Sequence, residues 1–574
     1  MFQEKDLNQK FSRRLRIVSG VAIIAFLVVL FRALDIAVTS GDDILKEIES
    51  RFERVHTVRI PLYRGSIKDS SGKELALSVP TLSVYAHPNT RNLANREEFI
   101  RGLASITGVS EKIIRKRIKQ GLNRPVRILS GIDIELKDPI RELIRETENS
   151  RFVGIQEEYR RFYPNRTLAS NLIGFVGVDG IGLEGMEYML NDYLGGGSTT
   201  ALVYVNKGLG NIFLNPLQGA LGEEKDVLLT IDIGVQSIAE RIRDDIVRKW
   251  KPKKVSILLM RISDGHILAL TTYPYFDPNR FRRYAPEKRR NYVVTDIFEP
   301  GSVMKPFFIA WALEKGYVSP NTYIDTGKGS IDVYGRRIGD IKALGKISLR
   351  EVLVRSSNVG AVKVAKHLSK KDVEHILRLF HLDNRFGIFP GEAKPKISDL
   401  SLPANILYTA IGQGLALNTL NLVVAFGALA SGEVVQPQII KEVLDIKGKI
   451  VFSSQRVVLR RDVLSERTLN WVREALTLVV EKGTGKRARS RYVSIAGKTG
   501  TAQKFDFRRG EYSKEKVVTS FVGFFPAENP RFVGAIVVDE PKGKNLYGGV
   551  VSAPYFKELA EQVIFYYGLK PDKL

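Results

Sequence analysis

The sequence predicts an α+β protein: a single N-terminal transmembrane helix, an elongated mixed β-rich pedestal domain, and a larger domain in which an antiparallel sheet packs with helices. Three observations carry this. An uncharged run, Ile17 to Phe31, follows a basic tail containing Lys5, Lys10, Arg13, Arg14 and Arg16. The character of the chain shifts near Leu228–Asp232, where a second unit begins. Beyond it, strand candidates come early (Val255–Met260, Ile267–Thr271) and late (Val493–Ala496, Phe521–Phe525, Phe532–Val538), without βαβ alternation. The expected divisions are a cytoplasmic tail over 1–16, a membrane anchor over 17–38, a stalk and pedestal over 39–222, and a catalytic domain over 223–574.

Taken in order, the apolar run is shorter than the roughly 20 residues that a full span wants. Arg32 near its outer end can snorkel to the interface and restore the length. The basic tail places the N-terminus in the cytoplasm and everything beyond the anchor outside, in a single-pass topology across the cytoplasmic (inner) membrane. Cleavage as a signal peptide is the lesser reading, because Arg32 and Asp35 flank the small residues Ala33 and Ala37. Residues 41–55 read as a charged helix or stalk, Thr81–Tyr85 and Ala201–Val205 as extended, and Glu97–Ile118 and Ile134–Thr147 as helical. Helix caps are expected at Ser348-x-x-Glu351 and Ser369-x-x-Asp372.

Composition excludes several classes. With 574 residues the chain exceeds one core, and with no cysteine it can hold neither thiolate zinc sites nor a cysteine nucleophile. The net charge of +25 favours anionic partners, but no Lys/Arg block with interleaved aromatics stands out, so nucleic acid is not expected. The six histidines show no His-x-x-x-His spacing, and no metal is expected. Gly483-Thr484-Gly485-Lys486 resembles the end of a P-loop, but Arg487 stands where Ser or Thr is needed.

Three short elements carry chemistry. Ser302 and Lys305, in FEPGSVMKPF, are three apart and share a helix face, after a Pro-Gly turn and before an apolar helix. A serine hydroxyl needs a neighbouring base, and a lysine with a lowered pKa can serve. The helix start also offers amide N–H groups to a developing oxyanion. Ser356-Ser357-Asn358 lies at a helix–helix junction and can present a hydroxyl and an amide, although alone it reads as an ordinary N-cap. Lys498-Thr499-Gly500-Thr501 follows an expected edge strand; Lys and Thr there can grip a carboxylate, and Gly500 lets substrate approach the backbone. Ser-x-x-Lys also occurs at Ser70/Lys73 and Ser513/Lys516, in polar, turn-like settings, so order and company single out Ser302.

In this order the trio resembles the Ser-x-x-Lys, Ser-Asp-Asn and Lys-Thr-Gly set of penicillin-binding proteins and class A β-lactamases, with Ser357 in place of Asp. Beyond the anchor the chain is similar to class B penicillin-binding proteins of the FtsI-type division branch. The resemblance rests on Arg64-Gly65-x-Ile67-x-Asp69, Arg160-Arg161-Phe162-Tyr163-Pro164, Gly182-Leu183-Glu184-Gly185, Gly412-Gln413-Gly414 and Gly548-Gly549. It implies septal peptidoglycan cross-linking, inhibited by β-lactams, through an acyl-enzyme formed on Ser302 from a D-Ala–D-Ala stem pentapeptide. Lys305 would take the hydroxyl proton, Ser356 relay one to the leaving amine, and Asn358 hold a substrate amide. Lys498 and Thr499 would bind the terminal carboxylate, with the amides of Ser302 and Thr501 as oxyanion hole. It implies no cofactor, and as partners an FtsW-type glycosyltransferase, other divisome proteins and the lipid bilayer. An elongation-type class B transpeptidase, a β-lactamase, a D,D-carboxypeptidase and a catalytically silent β-lactam-binding scaffold are the alternatives.

Overall fold

A computed structural model describes residues 19–32, 35, 52–86, 93–120, 126–150, 152–206, 210–213, 224–506 and 510–573. The expected tail over 1–16 lies outside them. Of the expected anchor over 17–38, residues 19–32 are helical and carry exposed apolar side chains such as Ile24, Phe26 and Phe31. Among the described residues, no helix is long and apolar enough to cross a membrane. Of the expected stalk, residues 41–51 lie outside the description, and Phe52–Pro61 is a strand rather than a helix.

The chain forms two compact units. The first comprises Met1–Ile60, Pro80–Glu158 and Ser198–Ala220. Its core gathers Leu82, Val84, Phe99, Leu103, Ile114, Ile128 and Ile140 from strands and helices. The helical stretch expected over Glu97–Ile118 is two helices, Arg96–Thr107 and Glu111–Gln120. Gly108, at φ 68°, separates them, because it takes a left-handed C-cap that a side chain would strain.

The second unit comprises Pro61–Val79, Tyr159–Gly197 and Leu221–Leu574. Two parts of the 39–222 segment thus fold with the C-terminal residues. A buried ion cluster ties these parts together. Glu187 accepts from Arg64 Nε and Arg161 Nε, each at 2.7 Å, and from the Tyr163 hydroxyl at 3.1 Å. Burial alone would push this carboxyl up, yet Arg161 and Arg64 hold it below the usual range.

A five-stranded antiparallel sheet organises the rest. Its strands are β1 (Lys254–Arg261), β2 (Ile267–Tyr273), β3 (Ala496–Asp506), β4 (Glu511–Phe525) and β5 (Phe532–Asp539), in the order β2-β1-β5-β4-β3. β1 is apolar on both faces because both are covered. Val255, Ile257 and Leu259 point to one core with helices α1 (Ile233–Trp250) and α6 (Ala553–Tyr566), whereas Leu258 and Met260 point to the other. That second core contains α4 (Thr419–Ser431), which is buried from Thr419 to Ala430. It also contains α2 (Lys305–Glu314), α3 (Asn358–Ala365) and α5 (Glu466–Glu481). The capping boxes at Ser348/Glu351 and Ser369/Asp372 form as expected. The late strand expected over Val493–Ala496 instead begins at Ala496 and runs through Lys498–Thr501, so these residues lie on the edge strand itself.

Candidate active site

Ser302 sits in a short 3₁₀ turn, Gly301–Met304, that feeds α2. Pro306 falls in the first turn of that helix, where its missing N–H costs nothing. Gly301 holds φ at 60°, and its N–H donates to Gly412 C=O at 3.1 Å. A Cβ on Gly412 would lie 2.0 Å from Gly301 O, so the Gly412-Gln413-Gly414 loop buttresses the nucleophile turn by backbone contact. α2 is apolar almost all round, and its residues from Lys305 to Ala312 are buried. Lys305 is therefore carried into the interior, while Ser302 remains half-buried and lines a cleft of about 1320 Å³.

The Lys305 ammonium position is fixed by the second motif. Nζ donates to Ser356 C=O at 2.6 Å and to Asn358 Oδ1 at 2.7 Å, with Ser356 Oγ at 3.5 Å. Ser356 adopts φ 61°, a left-handed conformation uncommon outside glycine, between helix Leu349–Val354 and α3. Ser357 is the N-cap of α3, its Oγ accepting from Gly360 N–H at 2.8 Å. The tripeptide thus caps α3 through Ser357, while its neighbours Ser356 and Asn358 hold Lys305.

Sequence reasoning missed the group that holds this junction. Asp340 accepts from Ser357 Oγ at 2.6 Å, from Asn358 N–H and from Val359 N–H at 3.1 Å, placing a carboxylate at the start of α3. Asn358 Nδ2 donates to Gly339 C=O at 2.9 Å. Asp340 follows a two-stranded hairpin, Ser330–Val333 with Arg336–Gly339, whose role only folding reveals.

The third motif lies on β3. Lys498 Nζ, fully buried, donates to Ser356 Oγ at 2.9 Å and to Thr499 C=O at 3.1 Å. Thr499 Oγ1 lies 2.8 Å from Thr484 Oγ1. Thr501 Oγ1 accepts from Gly548 N–H at 3.0 Å. Gly500 was expected to admit substrate, but a Cβ there would meet the protein itself, at 2.3 Å from Ser520 Oγ and 2.8 Å from Pro300 O. Its missing side chain lets β3 close on the nucleophile turn. Thr484, set aside with the failed P-loop pattern, belongs to the site, and Gly483, Thr484, Lys486 and Arg487 line the cleft.

Two buried lysines facing one hydroxyl set the electrostatics. Burial, reinforced by the neighbouring Lys498, pushes Lys305 well below the ordinary lysine range, and Asp340 partly offsets this. Burial lowers Lys498 to about 7. A neutral Lys305 amine is an acceptor as well as a donor, which is what a base for a serine hydroxyl requires. The three motifs converge on Ser356, whereas Ser70/Lys73 and Ser513/Lys516 line no part of the cleft. Among the described residues no group of His, Cys, Asp and Glu could hold a metal ion.

Comparison with known proteins shows the family. Residues 255–561 match the penicillin binding protein transpeptidase domain, and residues 59–219 the penicillin-binding protein dimerisation domain. The chain belongs to the penicillin-binding protein transpeptidase family. With a dimerisation domain preceding the transpeptidase domain, it is a class B member. It is 31% identical over 527 residues to the probable peptidoglycan D,D-transpeptidase PenA of Neisseria gonorrhoeae, covering 90% of this chain and 87% of that one. It is 29% identical to the peptidoglycan D,D-transpeptidase FtsI of Escherichia coli, over 100% of this chain and 95% of that one. Among solved structures, penicillin-binding protein 3 of Mycobacterium tuberculosis with aztreonam superposes at TM-score 0.68 and 24% identity, covering 90% of this chain and 98% of that one. Penicillin-binding protein 2X of Streptococcus thermophilus does so at TM-score 0.74 and 22% identity, over 89% and 80%.

Proposed function

We propose that this protein is a serine D,D-transpeptidase that cross-links peptidoglycan through an acyl-enzyme on Ser302, and that β-lactams trap it there. The observation that carries the reading is the dehydrated Lys305, gripped by Ser356 and Asn358 and lowered in pKa beside a second buried lysine.

Ser302 Oγ attacks the carbonyl of the penultimate D-Ala of a stem pentapeptide as neutral Lys305 takes its proton. The amides of Ser302 and Thr501 receive the oxyanion, a contribution of roughly 3–4 kcal/mol per donor in comparable sites. Ser356, hydrogen-bonded to both lysines, returns a proton to the leaving D-Ala amine. Asn358 holds a substrate amide. Protonated Lys498 and the Thr499 hydroxyl bind the terminal carboxylate, with Thr484 orienting that hydroxyl. An amine from a neighbouring stem then attacks the ester carbonyl, Lys305 takes up the amine's proton and returns it to Ser302 Oγ as that oxygen leaves, and both residues are restored.

The division role rests on relatives named FtsI, and the elongation role is the alternative. The apolar helix over 19–32, with its exposed side chains, supports an anchor over 17–38. The remaining assignments are a cytoplasmic N-terminus, a pedestal over 39–222, a catalytic domain over 223–574, and divisome partners including an FtsW-type glycosyltransferase.

The test is intact mass of the full chain in detergent after exposure to benzylpenicillin, beside Ser302→Ala. A persistent adduct on the wild type alone is expected. A transient adduct with rapid drug hydrolysis would point to a β-lactamase, and no adduct to a silent scaffold.

A further inference from the structure

A second set of contacts lies outside the three motifs and joins the elements that carry them. Glu299, three residues before the nucleophile, accepts at Oε1 from Gly414 N–H at 2.8 Å and from the Tyr512 hydroxyl at 3.1 Å. Tyr512 stands on β4 opposite Phe505 of β3, so it belongs to the hairpin that extends from Lys498–Thr501. Phe505 meets it edge-on at 5.3 Å. The Arg336 guanidinium lies 4.8 Å from the Tyr512 ring and 5.2 Å from the Tyr408 ring, within cation–π range of both. Arg336 opens the strand that ends at Gly339, next to Asp340. The turn before Ser302, the strand before Asp340 and the hairpin beyond Lys498 therefore meet around Tyr512, whose hydroxyl is held by the half-buried Glu299 carboxylate.

That carboxylate also controls the loop behind the nucleophile. Gly414, held by Glu299, ends the Gly412-Gln413-Gly414 loop, whose Gly412 C=O accepts from Gly301 N–H and whose Gln413 lines the cleft. Releasing Gly414 would free this buttress, and Gly301 has no other hydrogen-bonded support for its N–H among the described residues.

Building on the transpeptidase reading, we propose that Glu299, Tyr512 and Arg336 form a clasp of positioning residues. The clasp clamps the Gly412–Gly414 loop against the nucleophile turn and so sets the geometry of Ser302 for acylation without touching substrate.

The experiment is acylation of the full chain by benzylpenicillin, resolved into pre-covalent dissociation constant and acylation rate constant, with melting temperature as a control. Tyr512→Phe keeps the ring and removes the hydroxyl; it should slow the acylation step about tenfold, the scale of one hydrogen bond to a charged group, and leave the dissociation constant within about twofold. Adding Tyr512→Phe to Glu299→Ala should cost nothing further, because the partner is already gone. Glu299→Gln, which keeps the acceptor oxygen, should recover most of what Glu299→Ala loses. Should Glu299→Ala not fold, Glu299→Met, which fills the same space without an acceptor, supplies the same non-additivity with Tyr512→Phe. The clasp is overturned if Tyr512→Phe acylates like wild type, if the paired effects multiply, or if only the dissociation constant moves. Failure of the wild type to form an adduct would instead sink the transpeptidase reading itself.

Discussion

Lys498 Nζ donates to Ser356 Oγ at 2.9 Å, joining two motifs 142 residues apart in the chain through one hydroxyl. Lys305 approaches the same hydroxyl at 3.5 Å from the other side. Two ammonium groups cannot both stay charged there without high cost, and burial resolves the conflict by lowering both. The two lysines are thus a coupled pair built from one residue type.

The first prediction concerns pH. The acylation rate constant should rise with pH as Lys305 loses its proton, because only the neutral amine can accept one. Carboxylate affinity should fall as Lys498 deprotonates above about 7 in the free enzyme. The second-order acylation rate is therefore bell-shaped, and Lys498→Ala should remove the pH dependence of the dissociation constant. A flat profile from pH 5 to 9 would contradict the assignment.

The same lysines affect stability with a definite sign. A lysine whose folded value lies below its unfolded value binds fewer protons when folded, so stability increases with pH across that window. For Lys498 the window runs from about 7 to the ordinary value of 10.5. Replacing Lys498 with Met should flatten that part of the curve, measured by chemical denaturation at pH 7 and pH 9.

Asp340 should tune Lys305. Its carboxylate raises the Lys305 pKa against the effects of burial and Lys498. Asp340→Asn should therefore move the rising limb of the acylation profile to lower pH. Asp340→Ala should in addition cost about 1–2 kcal/mol of stability by stripping the start of α3, read as a lower melting temperature. An unmoved limb in Asp340→Asn would exclude the electrostatic part.

Glu187 should behave as a structural keystone. Removing one member of a buried charge cluster costs about 3–5 kcal/mol, so Glu187→Ala should be strongly destabilising by denaturant titration. Its folded carboxyl sits below the ordinary value of 4.5, so its contribution is present above that pH and is lost as pH falls through the folded value. Wild type should lose stability more steeply below pH 4.5 than a variant in which Arg161, Arg64 and Glu187 are replaced together.

Gly500→Ala should abolish acylation with little change in overall fold. The added methyl would sit 2.8 Å from Pro300 O and 2.3 Å from Ser520 Oγ, forcing β3 away from the nucleophile turn. Acylation of Gly500→Ala at the wild-type rate would show that β3 need not sit so close.

The sheet was legible because the strands of β1, β2 and β5 are short apolar runs, and the capping boxes because their chemistry is local. The start of β3 was misplaced: Lys498, Thr499, Gly500 and Thr501 lower the apparent strand signal, and it is pairing with Val522, Phe521, Ser520 and Thr519 that makes them a strand. Asp340 escaped notice because it lies in no spacing pattern, and Thr484 because the only pattern it lies in is a failed P-loop; each is brought to its partner by a hairpin or a helix end. Glu187 was likewise invisible as a partner of Arg64, from which it is separated by 123 positions.

The sequence by itself determined which candidate groups stand in which order: Ser302 one helical turn from Lys305, then Ser356 and Asn358, then Lys498 to Thr501. Such spacing is local, and local backbone geometry converts it directly into a shared face or edge. Only the tertiary structure decided what those groups become. A lysine side chain has an ordinary pKa anywhere in a sequence; Lys305 and Lys498 depart from it because α2 and β3 carry both out of water to the same hydroxyl. Desolvation and close charge are properties of packing, and packing is set by residues far away along the chain.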